Sequence, residues 1–131
     1  MDRLLIWVAV AIVALVGLWW LWSTASHKPS SVEVQVTVSE YSFKSSLTTF
    51  SAGTVYHFKI TDAGTMAHDW MIMPAGETDE SKALVKIEDS DLKPGVTLTR
   101  DFTFSQAGEF EFACHVEGHY EKGMKLPISV R

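Results

Sequence analysis

The chain has 131 residues, which is enough for one domain with a modest hydrophobic core. Its formal net charge is −5, from 16 acidic and 11 basic residues, and this balance argues against a nucleic-acid partner. The sequence holds a single cysteine, which excludes an internal disulfide and a dinuclear metal centre bridged by two cysteine thiolates.

After an N-terminal tip at residues 1–3, residues 4–22 form an uninterrupted apolar run of 19 residues without a charge. At about 1.5 Å per residue, a helix of this length crosses a bilayer core of roughly 30 Å. Three tryptophans lie at its C-terminal end, where an interfacial aromatic belt is expected. The run therefore predicts an uncleaved transmembrane anchor, followed by a polar linker over residues 23–31. The alternative is a signal peptide cleaved within Ser-Thr-Ala-Ser at 23–26.

From Val32 onward the hydrophobic period changes to two, which is typical of half-buried strands. Alternation predicts strands at residues 32–38, 54–61, 96–104, 109–114 and 124–130, with a shorter one at 47–51. The patch around Tyr41 and Phe43 is rich in turn residues. Residues 67–73 are apolar at both parities, which indicates a strand covered on both faces. Residues 74–95 are polar and acidic, and they suggest an excursion from the sheet with a helical turn or two within 80–87.

Seven or so strands separated by turn signals predict an all-β fold over residues 32–131, an antiparallel sandwich or barrel. The strand at 109–114 leads directly into the segment CHVEGHYEKGM, which runs from Cys114 to Met124. Because strand side chains alternate, Cys114 points to the same side as Phe110 and Phe112, into the core. The adjacent His115 points the opposite way.

Thiolate, imidazole and thioether groups come together in this segment, and this combination suits copper better than other common ions. Zinc takes the same nitrogen and sulfur donors, but a thioether is a poor zinc ligand. His27 lies in the linker and His57 on the polar face of a strand, which leaves His68, in MAHDWMIM, as the upstream candidate. His115 is the competing second imidazole of the loop. Four residues are therefore candidate ligands: His68, Cys114, His119 and Met124.

The spacing of Cys, four residues, His, four residues, Met resembles that of the cupredoxins, the type 1 blue copper proteins, as in auracyanin- and rusticyanin-like members. The resemblance covers residues 32–131 and implies a Greek-key β-sandwich that holds one copper ion. It also implies that His68, Cys114 and His119 are equatorial ligands and that Met124 is the weak axial ligand. Asp69 stands where relatives commonly have asparagine, and we expect it to orient the ligands through hydrogen bonds.

The resemblance implies a carrier of single electrons that cycles between Cu(II) and Cu(I), with a redox protein such as a cytochrome or oxidase as partner. We expect no enzymatic activity, because an inward cysteine between phenylalanines lacks the access that a catalytic thiolate needs. We expect a monomer anchored in the cell membrane by a single pass, with the copper domain on the periplasmic or extracellular side.

Two alternatives share the same ligands. One is a periplasmic copper-binding protein for copper tolerance or sequestration, which the methionines Met66, Met71 and Met73 near His68 would favour through extra Cu(I) binding. The other is a domain that docks on a larger oxidase.

We predict that the full-length protein sediments with membranes and resists extraction by salt, because an apolar helix is held in hydrocarbon by burial rather than by charge. Fractionation of cells that express the full chain measures this, with the fragment 32–131 as the soluble control. Recovery of a soluble mature form that begins near Ser26 would identify residues 4–22 as a signal peptide instead.

Overall fold

The structure is a computed structural model that describes residues 31–131, so the segments predicted at residues 1–30 lie outside the described residues. The described part is an all-β sandwich of two sheets. Its helical content between residues 31 and 131 is one short 3-10 turn, Glu80–Lys82. Within the same range, no helix is long and apolar enough to cross a membrane.

Nine strands follow one another along residues 31–131. The first sheet has the order β2-β1-β4-β7, and the second has the order β3-β9-β8-β5-β6. The strands are β1 (Val32–Ser39), β2 (Ser42–Ser45), β3 (Thr49–Phe50), β4 (Val55–Asp62), β5 (Trp70–Pro74), β6 (Val85–Ile87), β7 (Thr97–Thr103), β8 (Gly108–Ala113) and β9 (Lys125–Val130).

The alternation seen in the sequence becomes alternation of burial. In β1 the valines at 34, 36 and 38 are buried while Glu33 and Gln35 are exposed. In β4 the buried positions are Tyr56, Phe58, Ile60 and, at the end of the strand, Asp62. The inward faces of the two sheets meet, and their apolar side chains form the main core.

The sheets are mixed rather than antiparallel, which corrects the strand arrangement predicted from the sequence. β1 pairs with β4 in parallel, and β3 pairs with β9 in parallel. A parallel pair needs a crossover connection, and between β1 and β4 the chain makes one by passing through β2 and β3. Period-two alternation could not reveal this, because it reports which face a residue occupies and not the direction of the neighbouring strand.

Three element boundaries also differ from the prediction. Residues 42–45 form a strand instead of a turn, because β2 pairs with β1 and buries Phe43. Residues 85–87 form the edge strand β6 where a helical turn was expected. β5 begins at Trp70, so His68 lies in the loop before the strand rather than within it.

Both faces of β5 and β8 are covered, as the apolar run at 67–73 predicted. Trp70 and Ile72 face the main core, while Met71 and Met73 join Ala113 in a separate buried cluster on the opposite face. Ala83 and Tyr120, which lie outside the sheet, pack against this second cluster.

Phe58 links the two sheets at the centre of the main core. It is fully buried, and its ring centroid lies 5.3 Å from that of Trp70 and 5.9 Å from that of Phe112. Phe50 approaches the same ring at 5.8 Å. Aromatic pairs at these separations add to the free energy gained from burial alone.

We predict that Phe58→Ala lowers the free energy of unfolding of the fragment 31–131, a compact unit, by about 3–5 kcal/mol, because the cavity cannot collapse between two sheets. Urea denaturation of the metal-free fragment measures it. Leu84→Ala is the control, since Leu84 is 45% exposed and its truncation should change stability by about 0.5 kcal/mol or less. Equal losses in the two variants would contradict the assignment of Phe58 to the core.

Candidate metal centre

The pairing of β5 with β8 brings together the two segments that carry the candidate ligands. Met71 pairs with Ala113, so the residues just before β5 lie beside the residues just after β8. The carboxylate of Asp69 extends this contact, because its Oδ1 accepts a hydrogen bond of 2.9 Å from the backbone N–H of His115. His68 and Cys114 thus reach the same end of the sandwich from opposite strand directions.

The loop after β8 is closed by its own backbone. The N–H of Cys114 donates to the carbonyl of Met124 at 3.2 Å, and the N–H of Met124 donates to the carbonyl of His119 at 3.1 Å. The N–H of His119 donates to the carbonyl of Val116 at 2.8 Å. Gly123 has a φ of 92°, a conformation that other residues rarely adopt, and this lets the chain reverse just before Met124.

Three buried donor atoms meet inside this frame. The Nδ1 atoms of His68 and His119 lie 3.2 Å apart. The Sγ of Cys114 lies 3.5 Å from Nδ1 of His119 and 4.0 Å from Nδ1 of His68. His68 and Cys114 are 0% exposed, and His119 is 6% exposed. The sequence prediction that Cys114 points into the core with Phe110 and Phe112 is confirmed.

The spacing of the donors fits a transition-metal ion. Nitrogen and thiolate donors lie about 2.0–2.3 Å from such an ion, and in a trigonal plane they would therefore be about 3.5–4 Å apart. The three observed separations run from 3.2 to 4.0 Å. Two imidazoles and one thiolate are the donor set that selects copper in electron-transfer sites.

Burial favours the neutral forms of two of the donors, Cys114 and His68. It raises the pKa of the Cys114 thiol to about 12, and the nearby charge of Asp69 adds to the effect. Burial also lowers the pKa of His68, against the opposing charges of Asp62 and Glu40. Histidine binds a metal as neutral imidazole and cysteine binds it as thiolate, so a bound metal would replace the proton of Cys114.

Met124 is fully buried and packs in the same core cluster as Cys114. Its backbone is hydrogen-bonded to both Cys114 and His119. The structure therefore places all four predicted ligands in one buried region and brings three of their donor atoms together. An axial role for Met124 stays a prediction.

His115 turns away from the three donors, as strand parity predicted. Its ring stacks on Tyr120, with centroids 4.7 Å apart and planes 14° apart. The hydroxyl of Tyr120 donates to Oε1 of Glu111 at 2.7 Å, and Glu111 is only 4% exposed. The sequence did not predict this arrangement, because alternation along β8 does not show that the loop folds back over Glu111.

The other histidine and methionine candidates lie elsewhere. Nδ1 of His57 contacts a carboxylate oxygen of Asp101 at 2.5 Å on the outer face of the first sheet, as its polar parity indicated. His27 lies outside the described residues. Met71 and Met73 are buried in the second cluster, and Met66 is 38% exposed on the loop before His68.

The fold is similar to that of several solved copper proteins. Auracyanin A, a "blue" copper protein from the green thermophilic photosynthetic bacterium Chloroflexus aurantiacus, matches with a TM-score of 0.63 and 20% identity, over 78% of this chain and 100% of that one. Dithionite-reduced auracyanin from the photosynthetic bacterium Roseiflexus castenholzii matches with a TM-score of 0.61 and 19% identity, over 79% of this chain and 99% of that one.

A multi-copper oxidase from Pediococcus acidilactici also matches, with a TM-score of 0.55 and 13% identity, over 82% of this chain but only 27% of the oxidase. The likeness is therefore to one part of that enzyme. No curated protein sequence matches this chain.

The family model described as a cupredoxin-like domain matches residues 11–125, which is most of the chain. The sandwich and its buried His–Cys–His set are consistent with one type 1 copper ion. By this match and this fold, the chain belongs to the cupredoxin-like family.

Proposed function

We propose that the protein is a membrane-anchored mononuclear type 1 copper protein that carries single electrons between redox partners outside the cytoplasm. The main support for the proposal is that Nδ1 of His68, Nδ1 of His119 and Sγ of Cys114 come together in the protein interior. The charge-free run at residues 4–22 supports the anchor and a site of action at the cell membrane, on its periplasmic or extracellular side. The partner is a redox protein such as a cytochrome or oxidase, and the carrier acts as a monomer.

His68, Cys114 and His119 serve as equatorial ligands in this proposal, and Met124 serves as the axial one. Support comes from the three donor separations, from the burial of Met124 beside Cys114, and from the turn of His115 away from the cluster. Copper held by this donor set supplies one-electron exchange between Cu(II) and Cu(I).

The protein contributes a rigid ligand loop and excludes water from the metal site. The backbone hydrogen bonds around Cys114, His119 and Met124 hold the ligand loop in place, which would limit its rearrangement when the charge at the site changes. Phe110 and Phe112 exclude water from the cysteine side. His119 alone of the three donors keeps some exposure, so its ring offers the shortest route between the site and a docked partner.

Enzymatic activity does not follow from this arrangement. A nucleophilic cysteine needs access and an ionised thiolate, whereas Cys114 is fully buried and its pKa is raised to about 12 by burial. Copper tolerance or sequestration is the less favoured function. Met71 and Met73, which would have supplied extra Cu(I) ligands, are enclosed in the cluster on the opposite face of β5.

We predict that His115→Ala keeps an intensely coloured copper complex, because its ring lies outside the donor cluster. His119→Gly should lose the colour or recover it only with added imidazole, since a buried ligand position is then vacant. Visible spectra of the copper-loaded fragment 31–131 measure both, and Cys114→Ser, which should be colourless, is the control. Reversed behaviour of the two histidine variants would overturn the ligand assignment.

We predict that Met124→Leu retains copper and colour but raises the reduction potential, because a weak thioether donor stabilises Cu(II) more than Cu(I). The two side chains are similar in volume, so the packing cost should stay below about 1.5 kcal/mol. A shift of roughly 60 mV in a one-electron couple is a tenfold change in equilibrium constant, which voltammetry resolves.

The same variant tests the function. A carrier should exchange electrons rapidly with a cytochrome, at a rate that responds to Met124→Leu. Slow exchange in the wild-type protein, together with copper sensitivity of cells that lack it, would support sequestration instead. An unchanged potential in the variant would remove Met124 from the ligand set.

A further inference from the structure

Tyr41 covers the ring of His119 at the surface end of the site. The two ring centroids lie 5.3 Å apart and the planes are perpendicular, so one ring meets the other edge-on. Tyr41 is itself half-buried and packs against the main core. His119 lies in a loop of turns, yet it is only 6% exposed.

Lys122, from the same loop as His119, holds Tyr41 from the outside. Its Nζ donates to the hydroxyl of Tyr41 at 2.9 Å and lies 4.5 Å from the centroid of the same ring. One exposed ammonium therefore contacts both the polar end and the ring of one tyrosine. The three residues form a layered unit, which we call the His119 cap: His119 inside, Tyr41 over it, and Lys122 outermost.

The backbone at Tyr41 departs from ordinary geometry. Tyr41 is the second of the two residues that connect β1 to β2, because Ser39 pairs with Ser42. Its φ is 56°, and it is the one residue other than glycine with positive φ in the described part of the chain. Glycine or asparagine is usual at such a position, and a bulky side chain there is an outlier. Strained backbone of this kind persists where surrounding contacts hold it, often at functional sites.

We propose that Tyr41 is a positioning residue for the metal centre. It fixes the orientation of the His119 ring and keeps external ligands from reaching it, and Lys122 holds it closed. The proposal rests on the proposed function, in which His119 is a ligand and the exit route for electrons. It adds that a docking partner meets the phenol of Tyr41 and the ammonium of Lys122 before it meets the imidazole.

A tyrosine that only filled space in the core would not need its ring over His119 or its hydroxyl against Lys122. Two substitutions separate the role of the ring from the role of the hydroxyl. Tyr41→Gly removes the ring and also relieves the positive φ, so the fold keeps a favourable turn residue. Tyr41→Phe keeps the ring over His119 and removes only the hydroxyl that Lys122 contacts.

The first experiment measures the accessibility of His119 in the metal-free full-length protein in detergent. Histidines are modified with diethylpyrocarbonate, and modification is followed residue by residue by mass spectrometry, with His57 as the internal reference. We expect the rate at His119 to rise several-fold in Tyr41→Gly and to rise less in Lys122→Met. It should rise least in Tyr41→Phe, which keeps the ring and its contact with the Lys122 ammonium. An unchanged His119 rate in folded Tyr41→Gly overturns the proposal.

If Tyr41→Gly does not fold, the rate of modification of His119 in Lys122→Met provides the test, because this substitution removes an exposed side chain and leaves the core intact. An unchanged rate in Lys122→Met then overturns the proposal.

The second experiment adds imidazole to the copper-loaded proteins and follows the visible spectrum. We expect a spectral change in Tyr41→Gly at imidazole concentrations that leave the wild type unaltered. A wild-type spectrum that responds as strongly overturns the cap.

The two readouts separate failure of the cap from failure of the proposed function. Higher reactivity of His119 in metal-free Tyr41→Gly supports the cap even if copper gives no coloured site. A coloured wild-type site whose His119 reactivity and imidazole response do not depend on Tyr41 rejects the cap and leaves the copper assignment standing.

Discussion

The antiparallel contact between β5 and β8 is the interaction on which the candidate centre depends. Those strands bring residues 46 positions apart in sequence, His68 and Cys114, to one end of the second sheet. Their side chains reach the same place only because β5 pairs with β8 in this register, since a slip of one residue would turn every side chain to the other face. The hydrogen bond from the His115 amide to Asp69 extends that register beyond the last strand pair.

The second requirement is that the backbone of the loop from Cys114 to Met124 holds the loop in shape. Its two ends are joined by a backbone hydrogen bond, and the His119 backbone lies between them in the same network. Both faces of β8 are packed, the cysteine side in the main core and the Tyr120 side in the second cluster. The packed sandwich and the hydrogen-bonded loop therefore hold the three donors in one arrangement.

Much of this was accessible from the sequence, for identifiable reasons. Alternation of apolar and polar residues located β1, β4, β7, β8 and β9. Alternation along β8 also predicted that His115 points away from the core if Cys114 points into it. Both predictions depend only on the direction of side chains along a single strand. Strand direction in the sheets and the short strands β2 and β6 were missed, since they depend on partners far along the chain. Tyr41 also escaped notice: nothing in a turn-rich patch shows that its ring will lie over His119.

The burial that shapes the site also protects it chemically. Cys114 has no solvent exposure, and its thiol is protonated at neutral pH because burial raises its pKa to about 12. Oxidation to sulfenic acid and disulfide exchange both require an accessible thiolate. The fold therefore protects the single cysteine from both reactions.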